Sequence, residues 1–486
     1  MSKPYLWTYP EICQILDIAP KSHESFKSIK INKVWYYINE SNENTLFVHY
    51  QKSQTDLKLI DQALEKGCLV ITSMDVTNYP DDAKIIQVSS VLEAIQKLAK
   101  FNRLQFQGKL ISVTGSVGKS SVKELTSQIL SSFGSTFSIL KNENGTLGIN
   151  TILSHIPQES KFAILEVSAS GPNSIKPRAE PIQANIGIVT NASYNHMIKY
   201  KDVNELRKEK LALLDYLTGE KIAIVSRKLF NEDLENENLL SKKELGRILT
   251  VGEDNNDDIQ LISYKLSAIN SSANIKVNHQ IYYLNLPLPG KHFIETAMFS
   301  IAVAYALNLD IQTAINQCNN FIPPARRSQR FKIQTESKIL ELIDDSINAS
   351  PTSVNALLDL MGIRKNIRRK VLIFGDMLEL GSDQITEKLH LDLSDKIIDS
   401  GINYLITIGN NSQKIAKKLE SKIKGDSFNT SSDAIESINS LLENGDLVAV
   451  KGSGAIKLNT IISKIKGTKD QSLPAKNWTI ESENII

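Results

Sequence analysis

The chain is poor in cysteine. Its 486 residues include only Cys13, Cys68 and Cys318, too far apart for a metal-binding motif and too few for a disulfide framework, so they read as buried thiols of a reducing compartment. No apolar run approaches the ~20 residues that a membrane-spanning helix needs, and the N-terminus shows no apolar leader; membrane insertion is not expected and the expected location is cytoplasmic. Neither sign of charge prevails: 56 Lys and Arg face 54 Asp and Glu, for a net charge of +2. No global field therefore favours nucleic acid or an anionic membrane. The densest basic run, Arg364-Lys365-Asn366-Ile367-Arg368-Arg369-Lys370, reads as a solvated loop between a helix and a strand. Low-complexity segments and internal repeats are also missing. What is present, 41% hydrophobic and 23% charged residues with 23 Gly and 14 Pro, is the composition of a globular protein too long for one hydrophobic core, and about three domains are expected.

The pattern along the chain suggests where they divide. Residues 1–105 read as a smaller α/β unit, with strand-like runs at 45–49 and 68–72, a helix near 91–99 and a polar linker from Asn102 to Gly108. Over 106–326, apolar runs at 110–113, 162–165, 186–189 and 222–225 alternate with helical patterns; Val122, Leu125, Ile129 and Phe133 fall on one helical face. A helix over 294–307 and the pair Pro323-Pro324 close this unit. Over 327–486 the alternation resumes, with strands expected at 339–343, 371–374, 404–408 and 447–450. Strands alternating with amphipathic helices imply mostly parallel sheets covered on both faces, the last of them in a doubly wound, Rossmann-like domain.

The sharpest local signal is Leu110-Ile-Ser-Val-Thr-Gly115-Ser-Val-Gly118-Lys119-Ser120-Ser121. A buried strand leads into it and a helix leaves it, the context of a phosphate-binding loop. Gly115 and Gly118 let backbone amides approach phosphate oxygens beside Ser116 and Ser121, the helix N-terminus favours negative charge, Lys119 reaches the terminal phosphates and the Ser120 hydroxyl suits Mg²⁺. The bland alternative is an accidental glycine-rich turn, which the register of strand, loop, Lys-Ser and helix disfavours. A nucleoside triphosphate is the expected ligand.

Gly115 stands three residues before Gly118, where the common form of this loop has its first glycine five before. Thr-Gly-Ser-x-Gly-Lys-Ser-Ser instead resembles the loop of the Mur ligases and of their folylpolyglutamate synthase relatives. Phe162-Ala-Ile-Leu-Glu166, Asn191-Ala-Ser-Tyr-Asn-His196, Lys208-Glu-Lys210, Leu286-Pro-Leu-Pro-Gly290-Lys-His292 and Val450-Lys451-Gly452-Ser453 resemble further family segments in the family's order. Asp344-Asp345-Ser-Ile-Asn348-Ala-Ser-Pro351-Thr-Ser and Gly375-Asp-Met-Leu-Glu-Leu-Gly381 look like the branch that adds D-alanyl-D-alanine, and a folylpolyglutamate synthase would not be expected to carry the second.

The resemblance implies a cytoplasmic, monomeric ATP-dependent amide ligase that forms an acyl phosphate. Its substrates would be a nucleotide-sugar peptide and an amino acid or dipeptide, in peptidoglycan synthesis, and its cofactors ATP and two Mg²⁺. It implies metal-site roles for Ser120, Glu166, His196 and Lys210, the last 14 residues after His196 and carbamylated in relatives; a surface lysine in the basic segment from Arg207 is the alternative. It implies catalytic roles for Lys119, His196, Lys210 and Arg330, the arginine meeting the γ-phosphate, with Arg326 and Arg327 close by in the sequence. Asn144, His292, Arg330, Asp345 and Asn348 are implied to hold the nucleotide, although Asp345 would also serve as a helix cap. Lys451, Gly452 and Ser453 would meet the incoming amine.

Several positions depart from the family. The N-terminal Asp-Ser-Arg motif is replaced by Ile31-Asn-Lys-Val-Trp35-Tyr36, and the histidine expected after Glu166 is missing from Val167-Ser-Ala-Ser-Gly171. Asn150 stands where proline is usual, Phe293 follows His292 where asparagine is usual, and Ile347 precedes Asn348 where tyrosine is usual. Three readings therefore stand: the D-alanyl-D-alanine-adding enzyme, a paralogue joining an amine to a different carboxylate, and a silent nucleotide-binding partner protein. The retention of Lys119, Ser120 and Glu166 disfavours the third.

Overall fold

A computed structural model describes residues 5–50, 57–139, 143–194, 197–334 and 337–467. At the N-terminal end, β1 (Trp7–Thr8) pairs antiparallel with β2 (Lys30–Ile31). The strands β3 (Lys33–Trp35), β4 (Thr45–Val48), β5 (Leu69–Thr72) and β6 (Ile85–Gln87) form a parallel sheet in that order. β4 and β5 are buried throughout, as parallel strands covered on both faces must be.

The helix Val91–Gln105 follows, and it corrects the expected linker, whose first residues it contains. Val91, Ala94, Ile95, Leu98 and Ala99 form its buried face, and Asn102 continues that face. The Asn102 amide donates to the carbonyls of Leu153 at 2.7 Å and Ile156 at 2.8 Å, the last residue of the helix Thr146–Leu153 and a residue just beyond it. A polar residue that signals a loop is here the buried cap of a neighbouring helix.

Nine strands make the second sheet: β7 (Lys109–Thr114), β8 (Thr136–Ser138), β9 (Phe162–Glu166), β10 (Ile186–Val189), β11 (Ile222–Ser226), β12 (Arg247–Gly252), β13 (Ile259–Leu266), β14 (Ser271–Val277) and β15 (Gln280–Leu286), in the order β15-β14-β13-β12-β11-β10-β7-β9-β8. The apolar runs expected as strands are its central parallel members. The antiparallel meander β13–β15 was not among the expected strands. β14 alternates buried and less buried residues along its length, so no continuous apolar run marks it. Beneath the sheet, the helix Lys291–Ala306 is buried along most of its length and packs on the helix Lys119–Ser131, with Thr126 Oγ1 donating to Ser300 Oγ at 3.1 Å.

The third sheet contains β16 (Gln329–Gln334), β17 (Ile339–Asp345), β18 (Arg369–Gly375), β19 (Tyr404–Ile408), β20 (Lys424–Phe428) and β21 (Asp446–Lys451), in the order β16-β17-β21-β18-β19-β20. Only β16–β17 is antiparallel. The basic run begins in the loop after the helix Pro351–Ile363 and enters β18. All three cysteines are buried and free, and among the described residues no helix is long and apolar enough to cross a membrane.

The carboxyl ends of β7 and β9 and those of β17 and β21 border a single cleft of about 1270 Å³. That is where open α/β sheets place ligands, and the volume exceeds the ~300–1,000 Å³ of an ordinary ligand pocket.

Candidate active site

The cleft is built on the loop between β7 and the helix Lys119–Ser131. Gly115 has φ +151° and Gly118, the helix N-cap, φ +86°. Gly115 is required for a second reason: a Cβ there would lie 1.9 Å from Thr190 Oγ1. Thr190, Asn191 and Ser193, just beyond β10, staple the loop. Asn191 Oδ1 accepts from the amides of Ser116 at 3.2 Å and Val117 at 3.1 Å, and Thr190 Oγ1 donates to Val117 O at 2.8 Å. Ser116 Oγ donates to Ser193 O at 2.8 Å and accepts from the Ser193 amide at 3.0 Å. Sequence reasoning singled out this segment for His196 and missed the stapling, although a run of small polar residues after a buried strand was the available signal. His196 itself lies outside the described residues. Gly115→Ala must displace Thr190 and adopt a φ that costs of order 1–3 kcal/mol. We expect about tenfold or more loss of ATP affinity, measurable by titration calorimetry; unchanged affinity would refute the close-approach argument.

Lys119 folds over the loop, its Nζ donating to Gly115 O at 2.8 Å and Ser116 O at 3.4 Å. Burial pulls its pKa below the ordinary lysine value, Glu166 opposes this and Arg327 adds to it. Ser120 Oγ donates to Glu166 Oε2 at 2.5 Å, and Asn144 Nδ2 donates to Glu166 Oε1 at 2.9 Å. Burial alone would raise the Glu166 pKa, but Lys119, Arg327 and the Ser120 hydroxyl hold the carboxyl below its usual range. Ser121, also buried, lines the cleft beside them. Two buried hard oxygens beside a phosphate loop fit Mg²⁺. Among the described residues there is no cluster of three or more His, Cys, Asp or Glu side chains that could hold a metal by itself.

Lys210, on the helix Val203–Leu211, is 2% exposed, so it is not a surface lysine. Burial, and next the charge of Lys119, hold its pKa well below the ordinary value against the pull of Glu209. Glu209 is occupied with the chain beyond Glu166, accepting from the amides of Asn173 at 2.7 Å and Ile175 at 2.6 Å. Arg178 fastens the same stretch through Ser168 Oγ at 2.9 Å and Ser170 Oγ at 2.7 Å. These contacts fix the segment in which the family's histidine is missing.

The opposite wall comes from the third sheet. Asp345, Asn348 and Lys451 line the cleft together with His292. Lys451, 2% exposed, pairs with Asp345 Oδ2 at 2.7 Å and donates to Asn348 O at 2.8 Å. Its ammonium is thus engaged by Asp345 and Asn348. Asp345 Oδ1 accepts from the Ser328 amide at 3.0 Å, whereas the adjacent helix Pro351–Ile363 is capped by Ser350. The alternative role of Asp345 as that helix's cap is therefore not observed. Desolvation pushes the His292 pKa down to about 4, which leaves a neutral imidazole in the cleft at physiological pH.

The structure does not place Arg330, expected to meet the γ-phosphate, at the phosphate loop. Arg330, on β16, is 7% exposed, donates through Nη1 to Ala268 O at 3.3 Å, and has its pKa lowered to about 9 by burial and by Arg364. Arg330 is not among the residues lining the cleft, whereas Arg327 is. Arg327 Nη2 donates to Ser120 Oγ at 2.7 Å. The guanidinium beside the loop comes from the turn before β16, three residues upstream of the expected position.

Residues 113–304 match the Mur ligase middle domain and residues 329–454 the Mur ligase glutamate ligase domain, together about two-thirds of the chain. A UDP-N-acetylmuramoyl-tripeptide--D-alanyl-D-alanine ligase of Rickettsia prowazekii is 26% identical over 90% of this chain and 96% of its own length. Among solved structures, MurF from Acinetobacter baumannii shares the fold with a TM-score of 0.77 at 19% identity, over 95% of this chain and 98% of that one. MurF ligase from Thermotoga maritima in complex with ADP shares it with a TM-score of 0.72 at 19% identity, over 90% and 97% of the two chains. With a phosphate loop of this form, a buried Ser-Glu pair and both domain matches in sequence order, the chain is a member of the Mur ligase family.

Proposed function

We propose that the protein joins D-alanyl-D-alanine to the terminal carboxylate of a UDP-N-acetylmuramoyl-tripeptide at the expense of ATP, in peptidoglycan synthesis. The observation that carries this reading is the cleft itself, which gathers Lys119, Glu166 and Arg327, the last two bonded to Ser120, with Asp345, Asn348 and His292. A division of labour follows, with residues 1–105 binding the nucleotide sugar, 106–326 the phosphates and 327–486 the nucleoside and amine.

In the first half-reaction a substrate carboxylate oxygen attacks the γ-phosphorus, forming an acyl phosphate as ADP leaves. In the second, the amine attacks the acyl carbon, phosphate leaves, and the amine's proton goes to base or water. This chemistry needs positioning and charge neutralisation more than covalent help. Lys119 and the loop amides hold the terminal phosphates, Arg327 offers a permanently charged planar fork to the transferring group, and Asp345, tied by Lys451, presents its carboxylate to the ribose. Ser120 and Glu166 would hold Mg²⁺, which supplies further neutralisation of phosphate charge when bound. A neutral Lys210 amine can attack CO₂, forming an N–C bond and releasing one proton; the resulting carbamate is an anionic oxygen donor where a bare ammonium would repel a cation.

The paralogue reading has one observation in its favour. Where the family's Asp-Ser-Arg motif would lie, Trp35 is buried, donates to Glu40 Oε2 at 3.0 Å and stacks on Tyr36 at 5.5 Å between ring centroids. The deciding assay is phosphate release from ATP and Mg²⁺ with UDP-N-acetylmuramoyl-tripeptide, with and without D-alanyl-D-alanine. Release is expected only with both, yielding the UDP-pentapeptide by mass, and Lys119→Ala should lower it by about 10³-fold. No release from a protein that still binds ATP would refute the substrate assignment.

A further inference from the structure

The segment Gly375-Asp-Met-Leu-Glu-Leu-Gly381 leads from the end of β18 toward the helix Asp383–Leu391. In the structure it is the turn leaving β18, and its backbone is fastened from three sides. Asp376 caps the helix Asn410–Leu419, accepting from the amides of Ser412 at 2.7 Å and Asn411 at 3.2 Å. Leu378 N donates to Ser453 Oγ at 2.9 Å, and Ser453 N donates back to Asp376 O at 3.1 Å. The third fastening is His390, fully buried on the helix Asp383–Leu391. Its Nε2 accepts from the Met377 amide at 2.9 Å, and its Nδ1 lies 2.7 Å from Thr386 O. A carbonyl can only accept and an amide can only donate, so these partners fix the tautomer: Nδ1 carries the proton and Nε2 carries none.

What this turn touches gives it a use. Leu378 and Glu379 line the cleft, and Glu379 holds φ +62°, a conformation that persists in a non-glycine residue only where its surroundings impose it. Glu379 O accepts from the amide of Ile198, on the second sheet's side of the cleft, at 3.4 Å. Ile198 follows the segment 191–194 that staples the phosphate loop. The turn is thus a bridge from the third sheet to the loop neighbourhood of the second.

We propose that His390 is a positioning residue that, through its neutral Nδ1–H tautomer, holds the 376–381 turn as the latch by which the C-terminal domain closes on the phosphate side of the cleft. Protonation of Nε2 would set one N–H against another and release Met377. The groups facing His390 are Thr386 O, the Met377 amide, the Phe374 ring at 6.0 Å, and the charges of Asp376 and Lys414, the latter paired with Glu387 at 2.7 Å. Burial favours the neutral form over the opposing influence of the Thr386 carbonyl and, next, of Asp376. The latch therefore holds through the neutral range and fails as the pH falls below the ordinary histidine value.

The kinetic arm of the test rests on the ligase reading above; the structural arm does not. In the full chain, His390→Leu should still bind ATP with affinity within about twofold of wild type, since the phosphate loop is untouched, while kcat falls about tenfold or more. By small-angle scattering, the wild type should contract on adding a non-hydrolysable ATP analogue, and the leucine variant should contract less. His390→Gln, whose amide oxygen can accept from Met377 without titrating, should keep kcat within about threefold at about pH 8 and, with bicarbonate in excess at every pH so that carbamate loss at Lys210 does not contribute, lose the acid limb shown by wild type. If His390→Leu does not fold, the acid limb in the glutamine variant decides. The proposal is overturned if the leucine variant contracts and turns over like wild type, or if the glutamine variant keeps the wild-type acid limb. If wild type turns over no substrate, the substrate reading fails alone and the scattering comparison still decides the latch.

Discussion

Arg327→Ala should lower kcat for ligation by about 10³-fold, while Arg330→Ala should leave kcat within about threefold. The contrast follows from placement. Arg327 lies 2.7 Å from Ser120 Oγ and lines the cleft, and its charge helps both to keep Glu166 ionised and to depress Lys119. On the proposed reading, a guanidinium there would meet the phosphoryl group as charge moves from the attacking carboxylate onto the leaving oxygen, so its loss falls on the chemical step. The KM for ATP should move less, because Lys119 and the loop amides remain. Arg330, donating to Ala268 O at 3.3 Å from a buried position on β16, links the third sheet to the loop between β13 and β14. Its removal leaves unpaired groups at a cost of ~1–3 kcal/mol and should appear as a lower melting temperature. Steady-state kinetics and thermal melts of the two variants give the answer. A kcat collapse in Arg330→Ala with an active Arg327→Ala would restore the assignment made from the sequence resemblance.

The arginine pair shows where sequence reading stopped. The phosphate loop was legible because it is local: strand, glycines, Lys-Ser and helix occur in one stretch, and each has a chemical reason for its place. Glu166 was singled out by the resemblance of Phe162-Ala-Ile-Leu-Glu166 to a family segment, and the structure sets its carboxylate 2.5 Å from Ser120 Oγ. The central strands were visible as apolar runs, whereas β13–β15, with one face less buried, presented alternation broken by serine, asparagine and lysine. Which of Arg326, Arg327 and Arg330 reaches the loop depends on the turn geometry before β16, where Arg326 and Ser328 have φ +62° and +56°; spacing along the chain does not contain that. The contacts of Asn191 with the phosphate loop and of Lys451 with Asp345 and Asn348 were hidden for a related reason: each reaches across many tens of residues, through contacts that exist only after the sheets have packed.

Lys210→Met should abolish ligation, by about 10³-fold or more, yet raise the melting temperature of the unmodified protein at neutral pH. The two effects have one cause. Lys210 is 2% exposed, and burial, then Lys119, hold its pKa well below the ordinary lysine value. In the folded protein the amine therefore sheds its proton at a pH where the unfolded chain keeps it. The unfolded state binds more protons over that interval, so the unmodified lysine destabilises the fold at neutral pH, and this penalty shrinks as pH rises toward ~10.4. Methionine removes the penalty with similar volume. The same depressed pKa supplies a nucleophilic free amine for CO₂, which links the energetic cost to the function. Protein stripped of CO₂ at mildly acid pH should lose about tenfold or more of its activity and recover it on adding bicarbonate at about pH 8, because burial favours the free amine over the ammonium. Lys210→Met should show no recovery. Isotope-labelled bicarbonate should give a carbamate carbon resonance in wild type and none in the variant. Full activity in CO₂-free buffer, with no such resonance, would show that Lys210 works as a bare amine, and the anion required beside Ser120 and Glu166 would then have to be sought elsewhere in the cleft.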